Sequence, residues 1–98
     1  MSLADILTAL KVDLGITTTA YDERLMQYIN AAIIEITREG ATVSTETDET
    51  ITVNAKDAHL VTIYAAWMWR RRDSGEGMPR MVRYALNNRV FQEKMQEA

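Results

Sequence analysis

The sequence contains no cysteine and a single histidine, His59. Without cysteine there are no disulfide bonds, no thiolate metal ligands and no cysteine nucleophile. One histidine does not make a multi-histidine metal site, and a histidine near a helix start is far more often structural than catalytic. These absences disfavour an enzyme or a metalloprotein, and we expect no cofactor.

Glycine and proline are also scarce. The four glycines stand apart from one another, at Gly15, Gly40, Gly75 and Gly77, so the chain has no glycine-rich phosphate-binding loop. No serine lies in a nucleophile-elbow sequence. The acidic pairs Asp22/Glu23 and Asp48/Glu49 are sequence neighbours, which do not face each other on a helix. A paired-carboxylate catalytic site is therefore not expected.

Long apolar runs are missing as well. A membrane-spanning helix needs about 20 apolar residues, and the longest apolar stretch ends at Arg70-Arg71-Arg72. The first residues have neither the basic start nor the apolar core of a signal peptide. The 98 residues, 47% hydrophobic and 26% charged, are typical of one globular domain. We expect a protein without membrane association, in the cytoplasm or in an assembly built there.

Helical periodicity and capping signals predict two helices in the first 40 residues. Ser2 and Asp5 form a capping-box-like start for the first helix, and Gly15 suits its left-handed end. For the second helix, Thr19 is the expected N-cap. An amphipathic stripe then continues to about Arg38, just before Gly40.

The second half of the chain predicts two further helices. Residues 41–54 are rich in β-branched side chains and predict either a short β-hairpin or an extended loop. Asn54 is the expected N-cap of a third helix ending near Arg72, and Pro79 opens a fourth. Asn87-Asn88 is a point where the fourth helix is expected to bend or end. The predicted fold, over residues 1–98, is an all-α domain of four helices with this loop or hairpin between helices two and three.

The third helix is apolar on nearly every side between Leu60 and Trp69. Such a helix has to be enclosed on nearly every side. Because so short a chain has only three other helices to enclose it, we expect part of this helix to contact another subunit. Trp67 and Trp69 are two residues apart and do not share a face, so we expect one in the core and the other at an interface. The candidate interface residues are Tyr64, Trp67, Met68, Trp69, Arg70, Arg71, Arg72, Arg80, Arg83 and Arg89.

Charge is unevenly distributed along the chain. Residues 1–59 hold four basic and ten acidic side chains (4 − 10 = −6), whereas residues 60–98 hold seven and four (7 − 4 = +3). One interpretation is that solvated helix faces differ by chance. The other is that an acidic surface is kept apart from a basic one, which meets an acidic partner or phosphates.

The second half of the chain contains two distinctive stretches, residues 63–72 (Ile-Tyr-Ala-Ala-Trp-Met-Trp-Arg-Arg-Arg) and 77–91 (Gly-Met-Pro-Arg-Met-Val-Arg-Tyr-Ala-Leu-Asn-Asn-Arg-Val-Phe). With the order of the predicted elements, they resemble the small head–tail connector (adaptor) proteins of long-tailed bacteriophages and prophages. The resemblance covers nearly the whole chain, is most specific at these two stretches and is loose across residues 41–54. It rests on pattern, since none of these residues has a catalytic role.

This resemblance implies an all-α subunit of a ring, typically of twelve copies, beneath the portal protein of the filled capsid. Such a ring extends the channel for duplex DNA without sequence-specific binding, and it docks the tail or a stopper protein. The subunit would be found in the virion and, during assembly, in the host cytoplasm. The fourth helix would lie against the portal or a neighbouring subunit. The loop would contact neighbouring proteins through Thr45, Glu46, Thr47, Asp48 and Glu49.

Two other functions remain open at this point. The first is a small helical domain that binds nucleic acid through the arginine-rich half, with affinity that falls steeply with salt. The second is a toxin–antitoxin or scaffolding module that folds on a partner. Because DNA has to slide past a channel wall, the acidic half suits the wall of a connector better than a basic surface does.

Overall fold

The computed structural model describes residues 1–47, 50–72, 75 and 77–97. Over these residues the chain is mostly helical, with four helices and one two-stranded antiparallel hairpin between the second and third. The elements in chain order are α1 (Leu3–Leu14), α2 (Asp22–Glu39), β1 (Ser44–Thr47), β2 (Thr50–Val53), a 3₁₀ turn (Ala55–Asp57), α3 (Ala58–Arg71) and α4 (Arg80–Glu97). The four predicted helices are confirmed, and residues 41–54 contain the hairpin rather than an extended loop.

Local capping signals set three of the helix ends. The Ser2 hydroxyl accepts a hydrogen bond from the Asp5 backbone N–H at 3.1 Å, and the Asp5 carboxylate accepts one from the Ser2 N–H at 3.3 Å. Gly15 ends α1 and Gly40 ends α2, with φ angles of 72° and 117°. A positive φ angle costs little conformational energy only for glycine, so these two helix ends are confirmed as predicted.

Two predicted N-caps are wrong. α2 begins after Tyr21, with no side-chain cap, and Thr19 contributes its backbone carbonyl to the Asp22 N–H instead. Asn54 precedes the 3₁₀ turn rather than α3, and its side chain donates to the Thr42 carbonyl and to Asp57. In both places a turn stands between the polar side chain and the helix, so the side chain does not reach the helix N–H groups.

The hairpin is held to the body by the first residues of the chain. Ser44 pairs with Val53 and Thr47 with Thr50. The Met1 amino group donates to the Val53 carbonyl at 2.7 Å, and the Val53 N–H donates back to the Met1 carbonyl at 2.8 Å. An isolated two-stranded hairpin is marginal in water, and here these bonds and the buried side chain of Val53 stabilise it.

α3 lies at the centre and packs against the other three helices. Leu60, Val61, Tyr64, Ala65 and Ala66 on this helix are buried. The molecule measures 45 × 35 × 18 Å along its principal axes. The molecule is therefore about two helix layers thick along its short axis, and the buried side chains of α3 show that its neighbours cover most of this helix.

The expected excess of uncovered apolar surface on α3 is therefore mostly absent. Tyr64 is only 6% exposed within the single chain, so it belongs to the core and offers almost no surface to another copy. Trp67, Met68 and Trp69 are half-buried against the core. For these three side chains a second covering surface stays a prediction.

Among the described residues, four of the eight exposed large hydrophobic side chains lie on α4. Val82 and Leu86 face the core, whereas Met81 and Phe91 point outward. α4 is therefore apolar on two sides. The helix also continues through Asn87 and Asn88 to Glu97, so it does not end at the asparagine pair.

The two faces of α4 predict a large loss of stability for one substitution and almost none for another. Leu86 is fully buried and Phe91 is 63% exposed. Leu86→Ala should lower the free energy of unfolding by about 2–5 kcal/mol, because it leaves a cavity. Phe91→Ala should change it by less than about 0.5 kcal/mol. Urea unfolding followed by circular dichroism measures both, and an equal loss for the two variants would contradict this orientation of α4.

Candidate interface surfaces

A buried ion pair connects α4 to the start of α3. The Arg89 Nε donates to the Asp57 Oδ1 at 2.7 Å, and both side chains are almost fully buried. The other guanidinium nitrogens reach the Glu93 carboxylate at 3.1 Å and the Thr42 carbonyl at 2.8 Å. The Thr42 N–H in turn donates to Glu93 at 3.1 Å. We call these four residues the Arg89 network.

The network shifts the pKa values of Arg89 and Glu93 in the directions that favour their charged forms. Burial lowers the pKa of Arg89, but hydrogen bonds to Asp57 and Glu93 and their negative charges raise it by more, so it lies above its ordinary value. Hydrogen bonding from Thr42, followed by that from Arg89, lowers the pKa of Glu93. Each buried charge therefore has the hydrogen-bonding partners that a buried ion pair needs.

Arg89 is thus not the interface residue that the sequence predicted. It is 7% exposed, and its donors are directed at groups of the same chain. The sequence does not indicate Asp57 as its partner, because a charge pair 32 residues apart leaves no periodic signal.

Trp69, at the end of α3, belongs to an aromatic cluster with α2. Its ring meets the Tyr21 ring edge-on at a centroid distance of 5.4 Å and the Tyr28 ring at 6.1 Å. The Arg72 guanidinium lies over the indole, 3.7 Å from its centroid. We call Tyr21, Tyr28, Trp69 and Arg72 the Trp69 cluster. Tyr21 is half exposed, so this cluster keeps an open aromatic edge.

Trp67 occupies a different side of the same helix end. Its ring meets Tyr64 edge-on at 5.5 Å, Arg71 lies 4.6 Å above it, and its Nε1 donates to the Gly77 carbonyl at 3.1 Å. Trp67 also lines a groove of about 410 Å³ between α3 and α4, which we call the Trp67 groove. The groove walls include Ile63, Val82 and Met81, and Asp13, His59 and Arg70 carry polar groups at the same site.

The remaining candidate arginines are distributed over several contacts rather than gathered into one patch. Arg70 lies 3.8 Å from the Asp13 carboxylate and Arg83 lies 3.9 Å from that of Glu39. Both pairs are exposed to solvent, where ion pairs contribute little stability. Arg71 and Arg72 cover the two tryptophans, and Arg80 is exposed at the first residue of α4.

The loop candidates fall on the hairpin. Thr45 and Glu46 are exposed on β1, and Thr47 is the last residue of that strand. Asp48 and Glu49 lie outside the described residues. The exposed position of Thr45 and Glu46 suits a contact with another protein, which stays a prediction.

Two further findings concern the described residues alone. They contain no cluster of three or more histidine or acidic side chains placed to hold a metal ion. None of their helices has both the length and the apolar character required to cross a membrane.

Comparison with known proteins adds no relationship, since no family model, curated protein or solved structure matches this chain.

The Arg89 network predicts a large difference between two arginine substitutions on α4. Arg89→Met leaves the Asp57 carboxylate buried without its partner, so the free energy of unfolding should fall by about 3–5 kcal/mol. Arg83→Met removes an exposed contact and should cost less than about 0.5 kcal/mol. Denaturant unfolding at pH 7 compares the two variants. Similar stabilities would show that the Arg89 network adds little to the free energy of unfolding.

Proposed function

We propose that this chain is a structural subunit of a phage or prophage head–tail connector, which forms a ring under the portal protein. The family resemblance of residues 63–72 and 77–91 suggests this function. The arrangement of the two tryptophans at the end of α3 supports it. In this proposal the ring extends the DNA channel and docks the tail or a stopper protein, without catalysis or a cofactor.

The observation that carries the proposal is a pair of different aromatic patches at one helix end. A closed ring of identical subunits needs two unlike surfaces on each copy, because each contact joins one patch to another. The Trp69 cluster faces α2 and the Trp67 groove faces α4, and each includes a half-buried tryptophan with an arginine over its ring. Tryptophan and arginine are the residue types most enriched among dominant interface contacts.

In the proposed ring, one subunit places its Trp69 cluster against the Trp67 groove of the next. The exposed edge of Tyr21 and the open groove would then be covered together. The acidic half of the chain would line the channel, where weak phosphate binding lets DNA pass. The hairpin would extend to the portal or to the tail-side protein.

Nucleic-acid binding is the less favoured alternative. Phosphate recognition works best with arginines whose donors are free on one surface. Here the Arg89 donors are directed at Asp57, Glu93 and Thr42 inside the chain. Four other candidate arginines serve separate contacts, namely Arg70, Arg71, Arg72 and Arg83. A gel shift with duplex DNA at low salt separates the two functions, since micromolar binding that weakens steeply with salt would favour the alternative.

The connector proposal is tested by assembly. We expect native mass spectrometry of the full chain, alone or co-expressed with a phage portal protein, to show one closed ring size, typically of twelve copies as the resemblance implies. A chain that stays monomeric in both experiments would contradict the proposal. So would open filaments of varied length, because the proposed contact has to close.

The Tyr21 side chain provides the specific test of the ring contact. Tyr21→Ser removes an exposed ring of the Trp69 cluster, so ring formation should weaken by about tenfold or more. The melting temperature should fall by less than about 8 °C, which corresponds to about 1 kcal/mol. Tyr84→Ser, at an exposed tyrosine of α4 outside both patches, is the matched control and should leave the ring intact. Equal loss of rings in both variants would reject the assigned surfaces.

A further inference from the structure

The outer face of α4 carries a regular stripe of which the proposed ring contact uses only the first residue, Met81. Met81, Tyr84, Phe91 and Met95 are 81%, 58%, 63% and 63% exposed. With Asn88 they follow one another at intervals of three, four, three and four residues. This is the spacing of the a and d positions of a coiled coil, with Met81, Asn88 and Met95 at a and Tyr84 and Phe91 at d.

The stripe is separate from the face that docks α4 on its own domain. Leu86 and Glu93 take the f positions, which lie opposite the a/d seam, and Val82 and Arg89 take the b positions. Val82, Leu86 and Arg89 are buried in the body. One side of α4 is therefore packed within the chain, and the opposite side presents a complete a/d seam whose side chains are exposed.

The asparagine in the middle of the stripe identifies the occupant. In a parallel in-register pair, Asn88 of one copy meets Asn88 of the other, and the two amides hydrogen-bond to each other. In either antiparallel alignment of this stripe, Asn88 faces Tyr84 or Phe91 of the other copy. Against Phe91 the buried amide loses its hydrogen bonds at a cost of about 1–3 kcal/mol, and against Tyr84 the one phenolic hydroxyl is all that it can bond to. A single asparagine at an a position is known to select register and strand number.

The flanking residues are compatible with the same pair. In a parallel dimer each g position contacts the next e position of the other helix. Arg80 then meets Ala85, and Asn87 meets Gln92. No two like charges oppose each other, and the second contact joins two amides that can hydrogen-bond. An antiparallel pair would place g against g, which brings Arg80 of one copy toward Lys94 of the other.

We propose that the outer face of α4 is a self-recognition surface, on which a second copy of this chain binds through a parallel, two-fold α4–α4 contact. The contact is isologous, since the same residues meet across the axis. About two heptads make a small interface of the weak class, so the dimer forms in a concentration-dependent equilibrium. This inference does not depend on the connector proposal.

The lack of cysteine allows a clean crosslinking test with the full-length chain. Met81→Cys and Met95→Cys each place one thiol at an a position, at opposite ends of the stripe. In a parallel two-fold pair, both variants should form an interchain disulfide between identical positions in a glutathione redox buffer. Gln96→Cys, at the exposed residue that follows Met95, is the matched control, and we expect its disulfide yield to be several-fold lower.

The two-fold pair is overturned if Met95→Cys and Gln96→Cys crosslink equally, or if only one end of the stripe crosslinks. Ring contacts would not mimic the expected result, because head-to-tail contacts join different residues and keep identical positions apart. Failure of the crosslinks would thus leave the ring untested, and failure of the ring would leave the crosslinks unaffected.

Sedimentation velocity provides an independent measurement. At concentrations approaching 1 mM the unmodified chain should sediment partly as a dimer, and Phe91→Glu should weaken that association by at least about tenfold. Ile34→Glu introduces the same charge at a similarly exposed apolar residue of α2 and should leave it unchanged. Helical circular dichroism confirms that both variants fold. A chain that stays monomeric at this concentration, or equal effects of the two glutamates, would contradict the proposal.

Discussion

The Arg89–Asp57 ion pair determines how α4 is rotated against the rest of the molecule. α4 is apolar on two sides, and hydrophobic burial alone does not distinguish strongly between them. A guanidinium left on the buried side without a carboxylate is costly, whereas Asp57 at the start of α3 receives it at 2.7 Å. With Arg89 turned inward, Val82 and Leu86 are also turned inward. The outward stripe is then a geometric consequence of a polar contact.

The thinness of the molecule decides where apolar surface is left over. A chain of 98 residues buries only about two-thirds of the surface that it exposes when unfolded. The apolar side chains of the central helix α3 are mostly buried, because α1, α2 and α4 all contact it. The peripheral helix α4 has no further layer outside it, so its second apolar side faces solvent. The largest group of exposed apolar side chains thus lies on the peripheral helix α4 rather than on α3, which is more apolar.

Sequence patterns predicted the features of this fold that short-range contacts determine. The capping box of Ser2 and the glycine ends at Gly15 and Gly40 involve residues within five positions of one another, and they were read correctly. The inward turn of Arg89 depends on a partner 32 residues away, and it was missed. The two tryptophans were expected to divide into core and interface. Instead both are half-buried, because α3 ends where its neighbours cover only part of each ring.

The proposed contacts differ in symmetry, and Met81 connects them. It is the first residue of the α4 stripe and also lines the groove beside Trp67. A two-fold pair closes on itself after two copies, whereas a head-to-tail contact continues until the ring closes. Covering Met81 in a pair narrows the groove that a ring neighbour would enter, so the two contacts compete at one side chain. If both exist, a paired chain has to separate its α4 helices before that groove is fully open, which would keep free subunits from closing rings prematurely.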